Sequence, residues 1–201
     1  MKATLIIISL LIFNSCFSQN DSTIDNRVAL KFCISSLHVP YVGRSFRTCI
    51  EYRIKPFYSI ENEAGLFFDN SKGYMFRTDI KKYLENYNDG TYISIDLFHK
   101  FQTYSASDTI FGTLTDYHVK KNIVTLSFKY GRVISFKFGL LVDLYCGIGI
   151  KFQQNKNTLS KEENANMPPL YDYNTNWILN REQNKVYPNL LAGLKIGYIL
   201  N

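Results

Sequence analysis

Between residues 132 and 152 an apolar side chain recurs at every second position: Ile134, Phe136, Phe138, Leu140, Val142, Leu144, Cys146, Ile148, Ile150 and Phe152. Ser135, Lys137, Gly139, Asp143, Tyr145, Gly147, Gly149 and Lys151 stand between them. A period of two held this long specifies an extended strand with an oily face and a polar face. A helix of 3.6 residues per turn would scatter the same side chains around its circumference. At ~3.3 Å per residue the run outreaches the ~5–6 residues usual in soluble sheets, and it suits a tilted strand that crosses a bilayer and continues beyond it.

The same alternation marks seven further segments, 27–35, 45–54, 57–68, 74–84, 91–103, 117–130 and 186–200, so eight strands are expected. Lys55-Pro56, residues 69–73, the Asp89-Gly90 dipeptide and Gly131 read as tight turns. The stretch with His38, Pro40 and Gly43, the polar run 104–116 and the long polar segment 153–185 read as loops. The turns after strands two, four and six are short, and three of the four other connections are longer. With an even strand count, that is the pattern of an outer-membrane barrel with both termini in the periplasm. The expected fold is all-β, an eight-stranded antiparallel up-and-down transmembrane β-barrel.

Residues 1–19 read as an export signal: Lys2, an apolar core over 3–13, and a polar exit with cleavage near Ser18 or Gln19. Acylation of Cys16 within Phe-Asn-Ser-Cys is the alternative. Residues 20–201 then form one barrel domain with a long loop at 153–185. They hold no apolar run long enough for a membrane helix, so any membrane crossing is made by strands. A composition with 15 Tyr and 15 Phe favours β structure over disorder. The net charge of +6 is dispersed along the strands, which excludes a nucleic-acid stripe and fits anionic lipid headgroups or plain surface lysines. Loss of the signal leaves Cys33, Cys49 and Cys146. Cys33 and Cys49 are symmetric about Tyr41 on the first hairpin, where either a cross-strand bridge or two buried thiols is expected.

Alternation fits an outer-membrane barrel and a lipocalin-like soluble barrel alike. An eight-stranded barrel has room inside only for a modest set of side chains, and the oily set would overfill it. Glu51, Glu61, Glu63, Arg47, Arg77, Asp79, Asp96 and Lys137, interleaved with glycines, fit a narrow lumen as paired charges. Tyr58, Tyr74 and Tyr198 lie at strand ends on the oily face, where aromatic girdles belong.

The segments EYRIKPFYSIENEAGLFF, GYMFRTDIKKYLENYNDGTYISIDLFHKFQTY and YHVKKNIVTLSFKYGRVISFKFGLLVDLYCGIGIKF resemble a bacterial family of small outer-membrane β-barrel proteins of unknown function, related to OmpA-type membrane-anchor barrels. The resemblance covers the chain from about Arg27 onward. It implies an integral outer-membrane location and supplies no catalytic residues.

Catalytic signatures such as G-x-S-x-G, H-E-x-x-H, a P-loop or paired C-x-x-C are absent from the sequence. His99 and His118 flank the run 104–116 with Ser105, Ser107 and Asp108. These are residues that an outer-membrane lipid A or phospholipid acyl hydrolase would use for nucleophilic attack, but the favoured reading is that they are ordinary interfacial side chains with wet tips. Tyr171, Tyr173 and Trp177, in the loop 153–185, are the candidates for binding a surface partner. No metal site or cofactor is expected from three dispersed histidines. The leading expectation is a non-enzymatic, monomeric outer-membrane barrel in contact with membrane lipid and lipopolysaccharide. The acyl hydrolase stands second, and an exported soluble lipocalin-like carrier third.

Overall fold

A computed structural model describes residues 28–33, 45–67, 71–85, 90–166 and 182–200. Eight strands follow in order: β1 (Val28–Cys33), β2 (Ser45–Lys55), β3 (Tyr58–Phe67), β4 (Ser71–Tyr83), β5 (Gly90–Ile110), β6 (Thr113–Ser135), β7 (Leu140–Asn157) and β8 (Gln183–Leu200). Each pairs antiparallel with the next, and β8 also pairs with β1, Leu200 opposite Val28 and Lys195 opposite Cys33. The sheet thus closes on itself through the pairing of β8 with β1. This is the expected all-β, up-and-down, eight-stranded barrel. The expected export signal, residues 1–19, lies outside the described residues.

The two faces fall as the alternation predicts. Phe46, Leu66, Ile80, Leu97, Leu126 and Ile148 are among the large apolar side chains exposed on the outer wall, whereas Lys31, Glu51, Glu61, Asp79, Lys81, Asp143 and Lys195 are buried inside. Asn62 and Thr78 interrupt the outer belt and satisfy each other: they are register partners, and Thr78 Oγ1 donates to Asn62 Oδ1 at 2.9 Å.

Several expectations are corrected. The run 132–152 is two strands, because residues 132–135 end β6 and a 3-10 turn at Lys137–Gly139 precedes β7. Ile134 pairs with Val142 and Ser135 with Leu141, so partners share parity and the alternation continues in phase through the turn. Its mark lies in the backbone, where Phe138 (φ 67°) and Gly139 (φ 82°) both take left-handed conformations.

Gly131, expected to be a tight turn, sits within β6 opposite Tyr92 of β5 and Tyr145 of β7. A Cβ there would lie 2.3 Å from Tyr92 Cζ, so the missing side chain is the seat of a tyrosine ring laid against the inner wall.

The run 104–116 is not a loop. It continues β5 and β6 to a two-residue turn at Phe111 (φ 51°) and Gly112 (φ 79°), the backbone of a type I′ hairpin. Likewise Ser71–Gly73 belong to β4, residues 153–157 extend β7, and β8 begins at Gln183.

Among the described residues Cys33, Cys49 and Cys146 form no disulfide. Register places Lys31, not Cys33, opposite Cys49, so the two inner cysteines are offset along the hairpin and form no bridge.

Candidate functional site

Short turns lie at one end of the barrel, and the extended β5–β6 hairpin rises from the other. At the turn end Ala29, Tyr83, Tyr92, Val133, Leu141 and Tyr145 form an apolar floor. The tyrosines put their polar tips into the layer above: Tyr83 Oη donates to Glu51 at 2.7 Å and Tyr92 Oη to Asp143 at 2.8 Å.

In that layer two ammonium groups share three carboxylates. Lys31 Nζ donates to Glu51, to Glu61 at 2.9 Å and to Asp143 at 2.8 Å. Lys81 Nζ donates to the same three groups at 3.0, 2.8 and 3.0 Å. Lys195 links this layer to the next, pairing with Glu61 and, at 3.2 Å, with Glu63. Arg77 then joins Glu63 (3.2 Å) to Asp96 (3.0 Å), and Lys129 joins Asp96 (3.4 Å) to Asp79 (2.6 Å). Arg47 completes the set on Glu63 at 3.5 Å.

Six cations therefore face six carboxylates in one connected network, which removes the cost of burying any of them alone. Two groupings of metal-type donors occur here, Glu51/Glu61/Asp143 and Cys49/Glu61/Glu63. Lysine ammonium groups already fill the cation position in both. The half of the lumen nearest the turns is thus plugged by structure.

Above the network the interior changes character. Lys100 lies over the Phe67 ring at 4.7 Å, Lys121 over Tyr104 at 5.5 Å, and Lys151 over Tyr187 at 5.2 Å. The register makes Lys100 and Lys121 diagonal neighbours on the inner face and sets Lys151 opposite Thr125. Gln102, two residues from Lys100, pairs with Lys121 across β5 and β6, and Lys121 pairs with Asn155 across β6 and β7. Each lysine was legible as a polar-face residue, but which neighbours it meets depends on strand register, which a periodicity of two does not encode.

The hairpin carries the histidine candidates. Ser105 and His118 are register partners on the outer face, with Ser105 Oγ 3.0 Å from His118 Nδ1. Ser107 donates to Asp116 at 2.5 Å on the same face. Asp108 instead faces inward and accepts a hydrogen bond from the Tyr117 hydroxyl. His99 lies lower, opposite Val124, with its Nε2 2.8 Å from Asn122 Oδ1 and its ring edge-on to Tyr74. The fold therefore joins Ser105 to His118 and leaves His99 apart. Among the described residues no carboxylate bonds to His118, so the orienting third member of a triad is not assembled.

Tyr171, Tyr173 and Trp177 lie outside the described residues. The start of their segment holds a short helix, α1 (Lys161–Ala165), set by a capping box. Glu163 N donates to Ser160 Oγ at 3.2 Å, and Ser160 N donates to Glu163 Oε2 at 2.7 Å. These bonds hold the Glu163 carboxyl below its ordinary range. The Ser160-x-x-Glu163 spacing was the signal available for this helix. Asn164 anchors it to the barrel, accepting from Asn157 Nδ2 at 2.6 Å.

No family model, curated protein or solved structure matches the chain. The geometry of the barrel alone carries the functional reading.

Proposed function

We propose that this chain is an integral outer-membrane β-barrel with a non-enzymatic structural or surface-interaction role. Its partners on this reading are membrane lipid and lipopolysaccharide. The observation that carries it is the inversion of a closed barrel: large apolar side chains outside, a complete ionic network inside. Water gives no reason to expose Phe76, Ile95, Phe128 and Ile150 together on one wall while burying lysines and glutamates.

Polar residues bound this belt. On β4 the outward Lys72 and Lys82 flank Tyr74, Phe76, Thr78 and Ile80, and on β6 Lys120 and Arg132 flank Val124, Leu126, Phe128 and Tyr130. On tilted strands the intervals between the flanking charges rise roughly 25–30 Å, close to the ~25 Å of an outer-membrane apolar band. The termini and short turns lie at the periplasmic end in this reading, and the β5–β6 hairpin stands outside.

An acyl hydrolase is the second reading, favoured only by the Ser105–His118 contact. One set of membranes tests both. The native chain is expected to sediment with the outer membrane, to resist carbonate extraction, and to migrate differently on a detergent gel before and after boiling. Its His118→Ala variant is expected to release as much fatty acid as the native chain. Recovery in the soluble periplasm with a single gel mobility would instead support a lipocalin-like carrier. A loss of fatty-acid release in His118→Ala would support the hydrolase.

A further inference from the structure

We propose that the outer wall carries a docking site for the phosphorylated sugar headgroup of lipopolysaccharide, with Lys120 and Lys156 holding the phosphate. The site rests on the outer-membrane reading above and gives the lipid named there a place on the wall.

The register builds the site in three rows across β4, β5, β6 and β7. In the upper row Lys72 stands opposite Thr103, Thr103 opposite Lys120, and Lys120 opposite Lys156. The next row toward the belt runs Tyr74, Phe101, Asn122 and Gln154, each opposite the one before it. The third, Phe76, His99, Val124 and Phe152, begins the apolar belt. Residues two apart along a strand share a face, so all three rows look outward.

The upper row gathers positive charge at one point. Lys72, Lys120 and Lys156 are exposed, and among the described residues none of them forms a salt bridge. Like charges directly opposite each other weaken a strand pair. An anion seated between Lys120 and Lys156 turns that repulsion into two charge-assisted contacts. Neighbouring strands lie ~4.8 Å apart, so one phosphate spans the pair, and Lys72, two strands from Lys120, adds its field from ~10 Å. The other boundary of the belt is built differently. Lys82 stands opposite Tyr58 and Ile93, and Arg132 opposite Thr91 and Leu144, so neither has a basic partner across the strands. The paired lysines lie only at the hairpin end, which is the extracellular end in this reading.

Below the lysines the wall is hollowed. Lys120, Lys156, Asn122 and Gln154 line a recess of about 260 Å³ together with the rings of Tyr74, His99 and Phe101. The Tyr74 ring centroid lies 5.7 Å from that of Phe101 and 5.9 Å from that of His99, and His99 Nε2 lies 2.8 Å from Asn122 Oδ1, which fixes that amide in place. Aromatic faces beside side-chain amides suit a sugar ring, whose C–H faces pack on the rings while its hydroxyls bond to the amides. Two charges and three acceptor oxygens make a phosphomonoester a better match to paired lysines than a carboxylate. Cations, then rings and amides, then the apolar belt follow the order of phosphate, sugar and acyl chains in lipid A.

The full chain, folded in nonionic detergent, is titrated at constant ionic strength with lipid A carrying its phosphates and with lipid A from which they have been removed, bound lipid being counted by native mass spectrometry. The phosphorylated lipid is expected to bind saturably. Lys120→Gln/Lys156→Gln is expected to weaken that binding by about tenfold or more, and Lys82→Gln/Arg132→Gln, at the opposite boundary, to leave it unchanged. Gel mobility before and after boiling confirms that each variant is a closed barrel, and the single Lys120→Gln and Lys156→Gln variants, each expected to weaken binding, serve if the double variant fails to fold. Equal binding of the dephosphorylated lipid, equal binding by native and Lys120/Lys156-substituted chains, equal losses in the two double variants, or displacement by equimolar inorganic phosphate overturns the site. A native chain that keeps its gel shift but fails these arms overturns the site and leaves the barrel reading standing, whereas recovery in the soluble periplasm with a single mobility overturns both.

Discussion

Replacing Glu61 by alanine is expected to destabilise the barrel by about 3–5 kcal/mol, the range for removing one partner from a buried ion pair. Glu61 is the common acceptor of Lys31, Lys81 and Lys195, and all four side chains are essentially inaccessible. Its loss leaves three buried ammonium groups to Glu51, Asp143 and Glu63. Urea unfolding in lipid vesicles, followed by the fraction keeping the unboiled gel mobility, reads the change. Glu61→Gln keeps the volume and removes the charge. A similar loss in both variants assigns the effect to electrostatics, whereas shifts below about 0.5 kcal/mol, the scale of ordinary surface substitutions, would contradict the network's role.

The second large effect lies on the opposite face. Leu126 sits midway along the outer belt, opposite Leu97 of β5 and Ile150 of β7, and half its surface is exposed. Leu126→Arg is expected to cost about 2–4 kcal/mol if that wall faces the middle of a bilayer, and close to nothing if it faces water. Leu114 is more exposed still but lies beside the hairpin turn, beyond the belt, so Leu114→Arg is expected to be neutral in either case. A difference between the two arginines in the same unfolding experiment supports the lipid-facing belt. Equal tolerance of both contradicts it.

Much of this architecture could be read before any coordinates, because a period of two reports which face each side chain occupies. That is why Glu51, Glu61, Glu63, Asp79 and Asp96 were expected inside and are found there. It does not report which neighbour a side chain meets. The turn at Lys137–Gly139 was missed because its flanking strands pair with equal parity, and Gly131 was mistaken for a turn because the tyrosine that needs its empty side comes from another strand.

The β5–β6 hairpin was mistaken for a loop because, above the belt, both of its faces carry polar groups such as Ser105, Ser107, Asp108 and Asp116. No amphipathic signal is left there to read. The same blindness to register hid the diagonal approach of Lys100 and Lys121, and suggested that Cys33 and Cys49 stand opposite each other.

The direction in which the oily wall looks can be probed without altering its composition. Cys146 is an exposed thiol of that wall, while Cys33 and Cys49 are buried. A nitroxide attached to Cys146 of the barrel folded into phosphatidylcholine vesicles is expected to relax readily with dissolved oxygen and to be shielded from a water-soluble nickel chelate. Strong relaxation by the chelate, with little response to oxygen, would place that wall in water and contradict the account.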